Sequence, residues 1–204
     1  MLTTNPLLEQ VVTKLAHHRP NWPEVINMFQ KRPVTELRRE LAGVLAEFHV
    51  RSALSDICSD LSDRANFYPI DDGSKTHNFK FDYTGDNIIV KRSGTDEVYA
   101  EIDALLTLDG LPVIVEVKVR NRRSGQNGHR IRHELQPPAY SRKTEPICEY
   151  FGIKHVGLVM VIPQSVICAG SPVQQSFKAD GGKIVPFYAS PHDFRTEIKR
   201  VRKN

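Results

Sequence analysis

Apolar positions over the first sixty residues recur at helical spacing. Asn5-Pro6 supplies an N-cap and first-turn pair that opens a short helix over 7–15. Asn21 opens another, with Glu24 as its capping-box partner, and Trp22 reads as packing between these helices. Beyond Pro33, Leu37, Leu41, Val44, Leu45, Phe48, Ala53, Leu54, Ile57 and Leu61 fall near i, i+3, i+4, i+7, which predicts a longer helix with one buried stripe. From about residue 66 the period shortens to two. Segments 79–83 and 88–91 read as strands around the turn Gly85-Asp86-Asn87, and Gly94-Thr95-Asp96 turns the chain again. Segments 99–108 and 111–120 read as two longer strands joined by Asp109-Gly110, the strongest short-range hairpin signal. A basic loop follows over 120–133. Past Pro137-Pro138 a helix is predicted over 139–150, with Gly152 beyond its last turn. Segment 155–162 is apolar at nearly every position, as in a strand covered on both faces. Segment 183–189 reads as a last strand and 191–203 as a basic terminal helix, while the pattern places nothing over 163–182.

Composition narrows the class without naming it. The hydrophobic set is 40% of the 204 residues, and 25% are charged. These are ordinary globular proportions, and they exclude a disordered or low-complexity chain. No run reaches the roughly 18 apolar residues that span a bilayer. The start, MLTTNPLLEQ, lacks a basic region followed by an apolar one, so a cytoplasmic protein with no membrane partner is expected. Cys58, Cys148 and Cys168 are too few for a four-cysteine zinc or iron–sulfur site and read as free thiols. A net charge of +4 favours an anionic partner without specifying one.

Candidate chemistry concentrates on the hairpin. A two-residue turn at Asp109-Gly110 pairs Leu108 with Leu111. Counting back along both strands puts Asp103 opposite Glu116 and Glu101 opposite Lys118. Opposed Cβ atoms stand roughly 4.5–5.5 Å apart. Alternation sends these four side chains to one face and leaves Ile102, Ala104, Leu106, Val113, Val115, Val117 and Val119 as a core face. Two facing carboxylates repel. A divalent cation between them removes the repulsion and uses both as hard oxygen ligands. A lysine alongside supplies positive charge for a phosphate oxygen or an attacking water. Metal, carboxylates and lysine are the parts for hydrolysing a phosphodiester. The competing reading is a solvated sheet face on which Glu101 and Lys118 form a surface ion pair worth under about 1 kcal/mol.

Asp103, twelve intervening residues across a hairpin, and then Glu116-Val117-Lys118 resemble the D…(D/E)xK signature of the PD-(D/E)XK nuclease superfamily. That group includes restriction endonucleases, Holliday junction resolvases and RecB-like exonucleases. The segment GVLAEFHVRSAL holds Glu47, four residues after Gly43, and resembles the first, helical motif of the family. The resemblance covers about residues 35–162. It implies an α/β restriction-endonuclease-like core of helix, three-strand meander, helix and strand, with a central mixed sheet flanked by helices. This core and its basic terminal helix would occupy 34–204, after an N-terminal helical extension over 1–33. The resemblance also implies that Asp103 and Glu116 ligate Mg²⁺, which Mn²⁺ can replace, and that the Val117 carbonyl ligates as well. Lys118 would then stabilise the attacking hydroxide or the transition-state phosphate. Glu47 would complete or orient the site, with an exposed helix glutamate as its rival reading. Glu101 either adds an acid at the metal or holds Lys118. Ile102 stands where the name motif has proline. Gln136-Pro137-Pro138-Ala139-Tyr140 has the spacing of the RecB-like QxxxY element, although the prolines put Gln136 at or before the helix start. Tyr140 has ordinary helix packing as its alternative.

The loop carries Arg120, Arg122, Arg123, Arg130 and Arg132, with His129 and His133. It reads as a phosphate-gripping arm beside Lys118, or as a solvated charged loop. The expected activity is that of a metal-dependent deoxyribonuclease, an endonuclease, cleaving by one-step attack of metal-activated water. DNA is preferred to RNA as partner, and a homodimer is left open. The alternative is a catalytically inactive nuclease-fold module that binds nucleic acid or supports assembly. A third reading is an unrelated α/β protein with a wet hairpin face.

Overall fold

The structure, a computed structural model, describes residues 10–11, 13–14, 38–118, 133–167 and 170–187. Helix α1 (Arg38–Leu61) leads through a 3-10 turn to the short strand β1 (Ala65–Phe67). Three strands follow: β2 (Phe79–Thr84), β3 (Asn87–Arg92) and β4 (Val98–Ile102). Next comes the hairpin β5 (Ala104–Leu108) and β6 (Leu111–Val117). Helix α2 (Pro137–Phe151), β7 (Gly157–Pro163), helix α3 (Pro172–Ala179) and β8 (Lys183–Phe187) complete the order. A five-stranded mixed sheet runs β1-β5-β6-β7-β8, and β2-β3-β4 forms a separate antiparallel sheet. β1, β5 and β6 are antiparallel neighbours, while β6–β7 and β7–β8 pair in parallel across α2 and α3. The chain is therefore an α/β protein.

The hairpin has the predicted register, from Leu108↔Leu111 to Ala104↔Val115. Its turn has Asp109 at φ 48° and Gly110 at φ 78°. Two successive positive φ angles define the primed turn whose twist matches the strands. Arg64, in the 3-10 turn after α1, holds the hairpin turn, donating from Nε and Nη2 to the two Asp109 carboxylate oxygens, each at 3.1 Å. Placing a Cβ at Gly110 meets no neighbour, so Gly110→Ala tests backbone strain alone. The expected cost is roughly 1–2 kcal/mol, seen as a lower urea midpoint at unchanged slope. An unchanged midpoint would show that this turn does not need its glycine.

Both faces of the central sheet are covered, which explains the near-continuous apolar runs. Ala104, Leu106, Leu108, Val113, Val115 and Val117 pack against Ala46, Val50, Ala53, Leu54 and Ile57 of α1. On the opposite face Leu105, Ile114, Leu158, Met160 and Ile162 meet Ile147 of α2, Phe177 of α3 and the inner face of the second sheet. Val44 is 49% exposed and does not belong to the α1 stripe, which runs instead through Leu45, Ala46, Val50, Leu54 and Ile57.

The predicted strand 99–108 is two strands in different sheets. β4 pairs with β3, β5 pairs with β6, and Asp103 occupies the break. The meander formed by 79–102 therefore stands outside the central sheet, and Ile102 belongs to the second core rather than to the α1 face. β6 ends at Val117, short of the predicted 120. α2 starts at Pro137 instead of 139, and Gly152 follows it in the left-handed conformation at φ 64°, as predicted. The unassigned stretch 163–182 contains α3, opened by Ser171-Pro172. Gln10, Val11, Thr13 and Lys14 are helical. Val11 is buried with the α1 core, and Lys14 Nζ meets Asp60 Oδ2 at 2.9 Å. The remainder of the extension 1–33, with Trp22, lies outside the described residues, and so does the terminal helix 191–203. Among the described residues no helix is long and apolar enough to cross a membrane.

Candidate active site

The break at Asp103 fixes the local geometry. One position past the Ala104–Val115 pair, the ladder gives way to side-chain bonds. The Val117 amide donates to Asp103 Oδ2 at 2.7 Å, and the Asp103 amide donates to Glu116 Oε1 at 3.4 Å. The two carboxylates thus face each other across the strand ends, as the hairpin count requires. Asp103 is 5% exposed and Glu116 only 1%, which excludes the solvated-face reading.

Lys118 follows directly after β6. Its amide donates to the Val161 carbonyl of β7 at 2.9 Å, which anchors its backbone. Its Nζ lies 3.1 Å from Glu116 Oε2 and 3.5 Å from Asp103 Oδ2. Lys143, on α2, contacts the same Glu116 Oε2. On the α1 side, Arg51 donates from Nε to the Asp103 carbonyl at 3.1 Å and from Nη2 to Glu47 Oε2 at 3.2 Å. Arg51 also reaches Asn87 Oδ1, and Asn87 Nδ2 donates to Glu101 Oε1 at 2.5 Å.

Asp103, Glu116 and Lys118 therefore converge. Glu47 is held one residue away through Arg51, within electrostatic reach of Lys118 and Glu101. Burial raises the Glu47 carboxyl above its usual value, against the pull of Arg51 and Lys118. Glu101 departs from expectation. It pairs with Ile89 in the second sheet, not with Lys118, because the strand breaks at Asp103, and its side chain is exposed and bound to Asn87. Gln136 stands at the start of α2 with no capping bond from its side chain. The Tyr140 hydroxyl donates to Asp180 Oδ2 at 3.0 Å while its ring packs edge-on against Phe177, so the packing role is the one observed. Arg120, Arg122, Arg123, Arg130 and Arg132 lie outside the described residues, as does His129. Two cations escaped prediction. Arg51 stands four residues after Glu47, a helical ion-pair spacing visible in the chain. Lys143 carried no local signal.

The electrostatics separate the two acids. Burial, reinforced by the Glu116 charge, pushes Asp103 up to about 7, despite Lys118, Lys143 and the Val117 amide. Burial also acts to raise Glu116, but Lys143 and Lys118 together outweigh it and hold that carboxyl below its usual value. Burial disfavours the Lys118 ammonium, but Glu116 and Asp103 more than compensate, so it is charged at any physiological pH.

Among the described residues no three His, Cys, Asp or Glu side chains form a ready metal cluster. The two acids on the strands nonetheless suit a hard cation. Asp103 Oδ1 has no hydrogen-bond partner among the described residues, although the side chain is buried. A carboxyl that burial, with a neighbouring charge second, keeps partly protonated near neutrality is also one that a divalent ion would ionise.

No family model and no curated protein matches the chain. Among solved structures it is similar to protein VC1899 from Vibrio cholerae, at 11% identity and a TM-score of 0.30. That alignment covers all of this chain and 57% of the other, so the chain spans little more than half of that protein's length.

Proposed function

We propose that this chain is a Mg²⁺-dependent DNA endonuclease of the PD-(D/E)XK kind. The observation that carries the reading is the buried meeting of Asp103, Glu116 and Lys118 at the hairpin's open end, with Lys118 Nζ 3.1 and 3.5 Å from the two acids. The order of elements supports it as well. A helix bearing Glu47 precedes an edge strand, the acidic hairpin, a crossover helix and a parallel strand, and the second sheet is an insertion between the edge strand and the hairpin.

Asp103 and Glu116, with the Val117 carbonyl, would hold Mg²⁺, and Mn²⁺ in its place. When bound, the ion supplies Lewis-acid polarisation of the phosphoryl oxygen and a water of lowered pKa. The chain's own groups do the rest. Lys118, anchored to β7, positions its ammonium to hold the attacking hydroxide and to balance charge growing on the phosphate. Arg51 fixes the Asp103 main chain and restrains Glu47, so that the acid at the break keeps its orientation. Lys118 and Glu134, the described residues that border segment 119–132 along with His133, interact electrostatically. Arg120, Arg122, Arg123, Arg130 and Arg132 would grip the DNA backbone. A cytoplasmic setting, in which the free thiol of Cys58 stays reduced, belongs to the same proposal.

The test is incubation with closed circular and linear DNA. Wild-type protein with Mg²⁺ or Mn²⁺ should nick closed circles, and chelation should stop it. Lys118→Ala should cleave at least about 100-fold more slowly while binding DNA nearly as well. Wild-type protein that binds DNA but leaves circular and linear substrates intact would favour the catalytically inactive module. Equal cleavage by Lys118→Ala would remove the assigned site.

A further inference from the structure

Glu116 is over-supplied with donors. Its Oε1 accepts the Asp103 amide, and its Oε2 faces two ammonium groups, Lys118 and Lys143. Lys118 is built into the strand end and bridges both carboxylates. Lys143 is different. It comes from α2, on another layer, and Glu116 is its one ion-pair partner among the described residues. Its flexible four-carbon stem allows the ammonium to swing away without moving backbone.

A divalent cation cannot join this arrangement unchanged. The two acids and two ammonium groups already balance when both acids are ionised. Two further positive charges would exceed what Asp103 and Glu116 balance, and burying such an excess is costly. The Glu116 oxygen facing Lys143 is also the one that would have to open for a metal.

We infer that Lys143 is an exchangeable counter-cation for Glu116, seated on the carboxylate in the metal-free protein and displaced by the divalent ion that the proposed reaction requires. The inference rests on the nuclease reading of the site and adds to it a regulation of metal entry. In the metal-free state Lys143 keeps a buried carboxylate paired. In exchange, it sets the concentration of metal at which the site fills.

Mn²⁺ binding to the full chain, followed by electron paramagnetic resonance at fixed pH and ionic strength, tests this. Lys143→Gln removes the competing charge but leaves an amide to donate to Glu116. It should bind Mn²⁺ at least about ten-fold tighter than wild type. Lys143→Arg keeps the charge and should stay within about three-fold. A merely structural lysine predicts equal or weaker binding in Lys143→Gln, and that result would overturn the inference while leaving the metal site standing. Failure of wild type and both variants to bind Mn²⁺ would overturn the nuclease reading together with the inference. A second measurement needs no altered site. In lysine-selective nitrogen spectra of wild-type protein, the Lys143 ammonium signal should shift to that of a solvated lysine on adding Mg²⁺. A signal unmoved at saturating Mg²⁺ would likewise overturn the displacement.

Discussion

Asp103→Asn should be more stable than the wild-type chain at pH 8 and, on the proposed nuclease reading, at least about a hundred-fold slower on DNA. The stability gain follows from the buried acid. The folded protein raises Asp103 from an ordinary 3.8 to about 7, through burial first and the Glu116 charge second. A group raised on folding contributes stability that is fully present below its unfolded value and is lost as pH climbs through the folded value. Wild-type stability should therefore fall between about pH 4 and pH 7 on account of Asp103, and the variant should lack that fall. At about 1.4 kcal/mol per pKa unit, the gap at pH 8 is of the order of 2–4 kcal/mol. The asparagine oxygen can still accept the Val117 amide, so the local fold is kept. On the proposed mechanism cleavage should drop by roughly 10²–10⁴-fold, because the variant would lose a charged metal ligand. Urea midpoints at pH 5 and pH 8, with and without Mg²⁺, decide the matter. Mg²⁺ should raise the wild-type midpoint at pH 8 and leave the variant's unchanged. A gap between the two proteins that does not widen with pH would show that Asp103 is not held as described.

What the chain disclosed about this site, and what it hid, has a physical reason in each case. Asp109-Gly110 is a local signal with one favoured geometry, so the hairpin register and the meeting of Asp103 with Glu116 could be counted out residue by residue. Lys118 followed from the same count, although it lies past the end of β6. The break at Asp103 could not be seen. Alternation of apolar and polar residues runs unbroken from Ala100 through Asp103 to Ala104, whether the chain stays in one sheet or passes between two. The spacing therefore places Glu101 on the hairpin, whereas it lies on β4, opposite Ile89. The i,i+4 spacing shows the pairing of Arg51 with Glu47 but not its reach to the Asp103 carbonyl, and Lys143 has no local signal; both arrivals depend on how the helices pack. Pro172 at the start of α3 was visible, but Val173 and Phe177 alone are too few apolar positions to establish a period.

Glu116→Gln should be the opposite of Asp103→Asn in its effect on the fold. Glu116 is the acceptor shared by Lys118 and Lys143, and the glutamine leaves both ammonium groups without that charge. Removing one partner of a buried ion pair costs about 3–5 kcal/mol. Two effects reduce this. Both lysine side chains keep some contact with water, and Asp103, relieved of its neighbour's charge, ionises more readily against Lys118. A loss of about 2–3 kcal/mol at pH 7 is expected after these offsets. The pH dependence has the reverse sign from that of Asp103. Burial opposes ionisation of Glu116, but Lys143 and Lys118 prevail and lower its pKa. Its stabilisation is thus present above the unfolded carboxyl value and disappears as pH falls through the lowered one. The gap between wild type and Glu116→Gln should be widest near neutrality and should close in acid, below about pH 4. Urea midpoints from pH 3 to pH 8 would show it. A glutamine variant as stable as wild type at pH 7 would mean that the two lysines do not depend on Glu116, and the charge balance assigned to this site would fail with them.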